Sequence, residues 1–203
     1  MKTLKIFCLA FLFVLPAIAF SQHRVIMKVN YSVNLPVGSF SDHIKNTSFR
    51  GWNAGILYRV TEKISVGGTL GFQDFYQKND RALYKDVEGR DISAVVTNSI
   101  QTIPLLATVN YSFTPAKRVQ PYIGVGIGAN FIMYSQYLGQ FANDYNKLGF
   151  AARPEVGVFI PFRPEGESGI NVAGAFNFMP YKQGDLTNLN NVGFNVGAKF
   201  PLR

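Results

Sequence analysis

Apolar and polar positions alternate with period two along most of the chain, most clearly between Gln120 and Gln136. There Ile123, Val125, Ile127, Ala129, Phe131 and Met133 share one face of an extended chain, and Tyr122, Gly124, Gly126, Gly128 and Asn130 share the other. The last such segment sets Val192, Phe194, Val196, Ala198 and Phe200 against Gly193, Asn195, Gly197 and Lys199. Six more read the same way, at about Arg24–Pro36, Phe49–Val60, Lys63–Tyr76, Ser99–Phe113, Leu148–Phe162 and Gly169–Met179. In the first, Val25, Met27, Val29, Tyr31, Val33 and Leu35 oppose Lys28, Asn30, Ser32 and Asn34. One face suits hydrocarbon and the other a crowded, wet interior.

Each segment is long enough for a tilted strand to cross a bilayer, which takes roughly 9 to 11 residues. After the leader, no stretch reaches the roughly 18 consecutive apolar residues of a spanning helix. The connections alternate in length. Val60–Lys63, Thr114–Val119 and Arg163–Ser168 are short, whereas Gly38–Ser48, Gln77–Asn98, Gly139–Lys147 and Lys182–Asn190 are long. The pattern predicts an all-β chain, an eight-stranded antiparallel up-and-down transmembrane barrel with short inner turns and longer outer loops. A water-soluble lipocalin-like barrel also has eight antiparallel strands, but it turns its apolar face inward. Rows rich in Gly, Asn, Ser and Thr and poor in charge favour the membrane form. Pro104 and Pro154 each remove a ladder hydrogen bond, so a bulge or a local defect is expected at both.

Ile103-Pro104-Leu105-Leu106, the turn after it and Gln120-Pro121-Tyr122-Ile123-Gly124-Val125-Gly126 resemble the porin-family outer-membrane β-barrel domain related to OmpX and the OmpA barrel. Tyr31-Ser32-Val33-Asn34-Leu35-Pro36-Val37-Gly38 looks like that family's first strand entering its first outer loop. The resemblance covers Gln22–Arg203 and implies insertion by the outer-membrane assembly machinery, without implying a substrate. The C-terminal Phe200-Pro201-Leu202-Arg203 departs from the aromatic ending of many such barrels.

The N-terminus explains how such a chain would reach that membrane. Lys2 and Lys5 precede an apolar run of about 15 residues from Ile6 to Phe20, and Ala19 and Ser21 place small residues before Gln22. This predicts a cleaved signal peptide, residues 1–21, and a barrel domain, residues 22–203. Cys8, the single cysteine, lies early in the apolar run, so the mature chain has neither a lipidation site nor a disulfide. Losing Lys2 and Lys5 lowers the formal charge from +8 to about +6. With no basic cluster, that surplus points to lipid phosphates and lipopolysaccharide rather than nucleic acid.

Candidate chemistry is sparse. Gly124, Gly126 and Gly128 lack the following helix of a nucleotide loop and read as small residues relieving crowding in a narrow barrel. His43 with Ser39, Ser41 and Asp42 in the first outer loop is the sole constellation resembling a lipid-modifying active site. Two isolated histidines have no metal-site spacing, and no cofactor is implied. Lys28, Arg59, Arg153, Glu155 and Lys199 fall on the lumenal face, with Arg153 and Glu155 adjacent on it. They form either a polar plug or a narrow anion pathway, and an eight-stranded lumen, about filled by side chains, favours the plug. The expected role is that of a monomeric, non-catalytic barrel whose outer loops meet surface ligands. The alternatives are a small pore or hydrophobic-ligand conduit, and a lipid-modifying enzyme.

Overall fold

The structure, a computed structural model, describes residues 25–79, 82–85, 91–94, 96–115, 117–138, 141–163, 166–183 and 186–202. The expected signal segment lies outside them. So do several second-loop charges, among them Asp80, Arg81, Asp86, Glu88 and Arg90.

Eight long strands close into a ring: β1 (Val25–Pro36), β2 (Ser48–Arg59), β3 (Ile64–Lys78), β6 (Val96–Ser112), β7 (Gln120–Leu138), β8 (Phe141–Pro161), β9 (Gly169–Asn177) and β12 (Asn191–Pro201). Each pairs antiparallel with the barrel strands before and after it in the chain, and β12 pairs with β1 to close the ring. The long connections carry a five-residue helix, α1 (Ser39–His43), and two hairpins, β4 (Ala82–Lys85) with β5 (Asp91–Ala94) and β10 (Pro180–Gln183) with β11 (Leu186–Asn188).

The apolar rows face outward and the polar rows inward. Val125, Ile127 and Phe131 are about half exposed, at 50, 54 and 50%, while Asn30, Asn53, Thr102, Asn130 and Asn195 are buried in the lumen. This inversion excludes the soluble alternative, because an apolar exterior is stable only against lipid. Closure leaves no strand edge at membrane depth, where an unpaired backbone group would find no partner. Aromatic side chains border the apolar belt at both ends. Tyr31 sits across from Trp52, which stacks at 6.5 Å on Phe72 toward the long loops, and Tyr111 meets Phe113 edge-on at 5.3 Å toward the short turns.

Small lumenal residues allow the strands to coil this tightly. A Cβ at Gly128 would lie 2.0 Å from the Leu105 carbonyl oxygen, and one at Gly197 would lie 1.9 Å from that of Val29. Either contact is far inside van der Waals separation, so a side chain there requires the strands to part.

Both prolines lie in gaps of otherwise regular ladders rather than in bulges. Pairing of β3 with β6 stops at Leu70–Leu105 and resumes at Gln73–Thr102 in unchanged register, with Pro104 between. Pairing of β8 with β9 stops at Glu155–Ala175 and resumes at Ala152–Phe178, with Pro154 between. Gly71 stands across from Pro104, where a Cβ would approach the proline ring to 3.1 Å. A register shift does occur elsewhere, between Ser32 and Asn34 of β1, where Phe49 and Arg50 of β2 both turn outward.

One expectation is corrected. The predicted third outer loop, Gly139–Lys147, is mostly strand, since β7 and β8 continue their ladder to Leu138–Phe141. Asp144, Tyr145, Asn146 and Lys147 are all exposed. Above the membrane both faces of a strand meet water, so the apolar–polar alternation that marks the lower strand disappears while the backbone pairing continues.

Candidate functional site: the lumen and its two ends

The lumen is layered along the barrel axis. At the long-loop end it is closed by apolar side chains. Gly38, two residues past β1, adopts φ 66°, a left-handed conformation that favours glycine, and leads the chain into α1. Ser41 Oγ donates to the Gly38 carbonyl at 2.7 Å, and His43 Nδ1 lies 3.0 Å from the Ser39 carbonyl oxygen. The helix drives Phe40 into the barrel mouth, where it meets Phe75 edge-on at 4.8 Å. Ile44, Ile100, Ile132, Met179, Leu186 and Leu189 complete the buried cap. Tyr181 also belongs to it, and burial raises its phenol above the usual value.

Below the cap is a layer of amides and hydroxyls. Asn53 Nδ2 donates to Ser32 Oγ at 2.8 Å and to Asn195 Oδ1 at 3.0 Å, and Asn30 Nδ2 donates to Asn53 Oδ1 at 2.8 Å. Asn191 Nδ2 donates to Gln73 Oε1 at 3.1 Å, linking β12 to β3 across the bore. Amides suit this position because each supplies both donors and acceptors, and buried polar groups without partners are costly.

The charged layer comes next. Glu155 accepts from Lys28 Nζ at 2.6 Å and from the Tyr122 hydroxyl at 2.6 Å, and Arg153 Nη2 lies 3.3 Å from its other oxygen. The Lys28, Arg153 and Glu155 side chains are each no more than 8% exposed. Nearer the short turns, Arg59 pairs with Glu167 at 2.6 Å, and Lys199 Nζ sits 4.4 Å from the centroid of the Phe159 ring.

All five charges assigned from sequence to the lumenal face thus lie in the bore, but in two groups: Lys28, Arg153 and Glu155 in the buried layer, Arg59 and Lys199 at the short-turn mouth. Tyr122, Glu167 and Phe159 complete these groups and were not singled out from sequence. Tyr122 falls in the expected polar row, and a phenol among glycines there was the available signal. Glu167 reads as one charge of a solvated turn. The His43 constellation does not assemble. Ser39 Oγ lies 2.8 Å from Thr187 Oγ1 and accepts from Asn188 Nδ2, Ser41 Oγ is bound to Gly38, and neither hydroxyl is bonded to His43.

A closed antiparallel ring, apolar outside and hydrogen-bonded within, defines a transmembrane β-barrel. The chain belongs to the outer membrane protein beta-barrel domain family, whose profile matches residues 6–200, and it is an outer-membrane protein. No curated protein matches it in sequence. Among solved structures it is similar to Neisserial surface protein A, with 14% identity over 90% of this chain and 98% of that one and a TM-score of 0.53. It is likewise similar to the outer membrane protein OprG from Pseudomonas aeruginosa, with 13% identity over 88% and 95% of the two chains and a TM-score of 0.53. At these identities the likeness is one of fold.

Proposed function

We propose that this protein is a closed, non-catalytic barrel that acts at the cell surface through its outer loops. The observation that carries the reading is the apolar cap, in which Phe40, Phe75, Ile100 and Ile132 fill the outer end of the lumen. A hydrated ion crossing that layer would lose its water to aliphatic and aromatic side chains with nothing offered in exchange. The bonded amides and the Lys28–Glu155–Arg153 group below it support the same reading, since they fill and stiffen the bore. The outer surface of the wall is committed to lipid, which leaves the loops and the raised ends of β7 and β8 as the parts available to a surface ligand.

On this reading the chain is exported with residues 1–21 removed. The assembly machinery inserts it as a monomer among lipopolysaccharide and phospholipid. Refolded protein in planar bilayers tests the central claim. Stable insertion without single-channel steps is the expected result, and steps whose ion selectivity changes with Arg153→Ala or Glu155→Ala would overturn it.

A further inference from the structure

The end of the lumen opposite the cap is open. Below the charged layer lies a cavity of about 290 Å³, reaching from Lys28 and Tyr122 down to residues of all three short turns, including Glu62, Pro115 and Glu167. In a barrel of this family that end faces the periplasm. Among the described residues its walls carry four cations, Lys28, Arg59, Lys63 and Lys199, against two carboxylates, Glu62 and Glu167. Lys28 is bound to Glu155 and Arg59 to Glu167. Among the described residues no carboxylate lies within ion-pair distance of Lys63 or Lys199; Lys63 is exposed on its turn, whereas Lys199 reaches into the cavity with its Nζ against the Phe159 ring.

A cation held in a concave, partly apolar recess focuses positive potential into that recess and raises the local concentration of anions. The ring behind Nζ occupies one side of the ammonium, and its remaining donors are left for an acceptor entering the cavity. We propose that this vestibule binds a compact oxyanion, a phosphate or carboxylate group presented from the periplasm, with Lys199 as the principal donor. A free solute and the headgroup of a lipid at the rim share that chemistry. The site is separate from the outer loops, so it stands or falls independently of the surface role.

Calorimetric titration of the refolded protein with inorganic phosphate, in zwitterionic detergent free of phosphate groups, tests the assignment. Saturable binding is expected for the wild type. Lys199→Met should weaken it roughly tenfold or more, the worth of a charge-assisted hydrogen bond. Glu167→Gln should strengthen it by a similar factor, about tenfold, because Arg59 is released to the cavity. Absence of saturable binding, or equal binding by wild type and Lys199→Met, overturns the proposal. If Lys199→Met does not refold, Glu167→Gln decides alone, and failure to tighten overturns it. Repeating the titration in nanodiscs with and without phosphatidylglycerol assigns the source. Competition by the lipid supports a headgroup site, and undiminished phosphate binding supports a solute site.

Discussion

Glu155 holds two cations at once, and the bore around it contains little else to compensate them. Glu155→Gln therefore leaves both Lys28 and Arg153 buried without a counter-charge, a loss of about 3–5 kcal/mol. Lys28→Met should cost less, since Arg153 still faces the carboxylate. Urea unfolding in detergent micelles, followed by the shift in gel mobility between folded and heated barrel, measures both, and equal costs for the two variants would contradict this ordering. At this scale the sequence was partly legible. Arg153 and Glu155 are two residues apart on one strand face, so their proximity follows from pleat geometry alone. Lys28 and Glu155 are separated by 127 positions and meet only because the ring closes. Period two placed Lys28 and Lys199 inside, but the two stand directly across from each other in the β1–β12 ladder, and only their side chains part, one to Glu155 and the other toward the mouth and the Phe159 ring, which alternation does not encode.

At the scale of elements, α1 is the part that decides whether the bore is shut. Phe40 is fully buried although it belongs to a connection rather than to the wall. Truncating it removes contacts worth about 3–5 kcal/mol in a well-packed site. Because the barrel ladder does not depend on it, Phe40→Ala should loosen the first loop and leave the ring folded. Faster proteolytic cleavage near residues 39–47 with unchanged heat-modifiable mobility is the expected result, and loss of the folded band would show that the cap is needed for the barrel itself. Strands with one face in lipid and one in the bore were readable because two different environments impose opposite compositions on alternate residues. The continuation of β8 through Asp144–Lys147 was not, because both of its faces meet water. Nor was α1, since five residues are too few to show a helical period.

At the scale of the whole molecule, the barrel is closed toward the outside and open toward the periplasm. The closed half accounts for the expected lack of conductance, and the open half for the anion site. The eight-strand topology was legible from alternation and from the connections, although the third long one proved to be mostly strand, and the family was legible from the segments Ile103–Leu106, Gln120–Gly126 and Tyr31–Gly38 that resemble it. The ligand of either end is carried by single side chains in loops and turns, where no repeating pattern constrains residue type.

The two proline gaps divide the ring unequally. One seam lies between β3 and β6, the other between β8 and β9, so β6, β7 and β8 form one stave of three strands and β9, β12, β1, β2 and β3 a second of five. A wall with two weakened joints breathes at those joints first, as a cask loosens between its staves. Amide hydrogen exchange in micelles should be fastest, among barrel positions at membrane depth, at Gly71 and Phe176, whose N–H groups point into the interrupted stretches, whereas those of Phe72 and Asn177 point into the intact ladders with β2 and β12. Protection there equal to that along the uninterrupted β6–β7 ladder would mean that the prolines cost the wall nothing. If the seams do open, the wall has two opposed lines along which it can yield without breaking its other ladders.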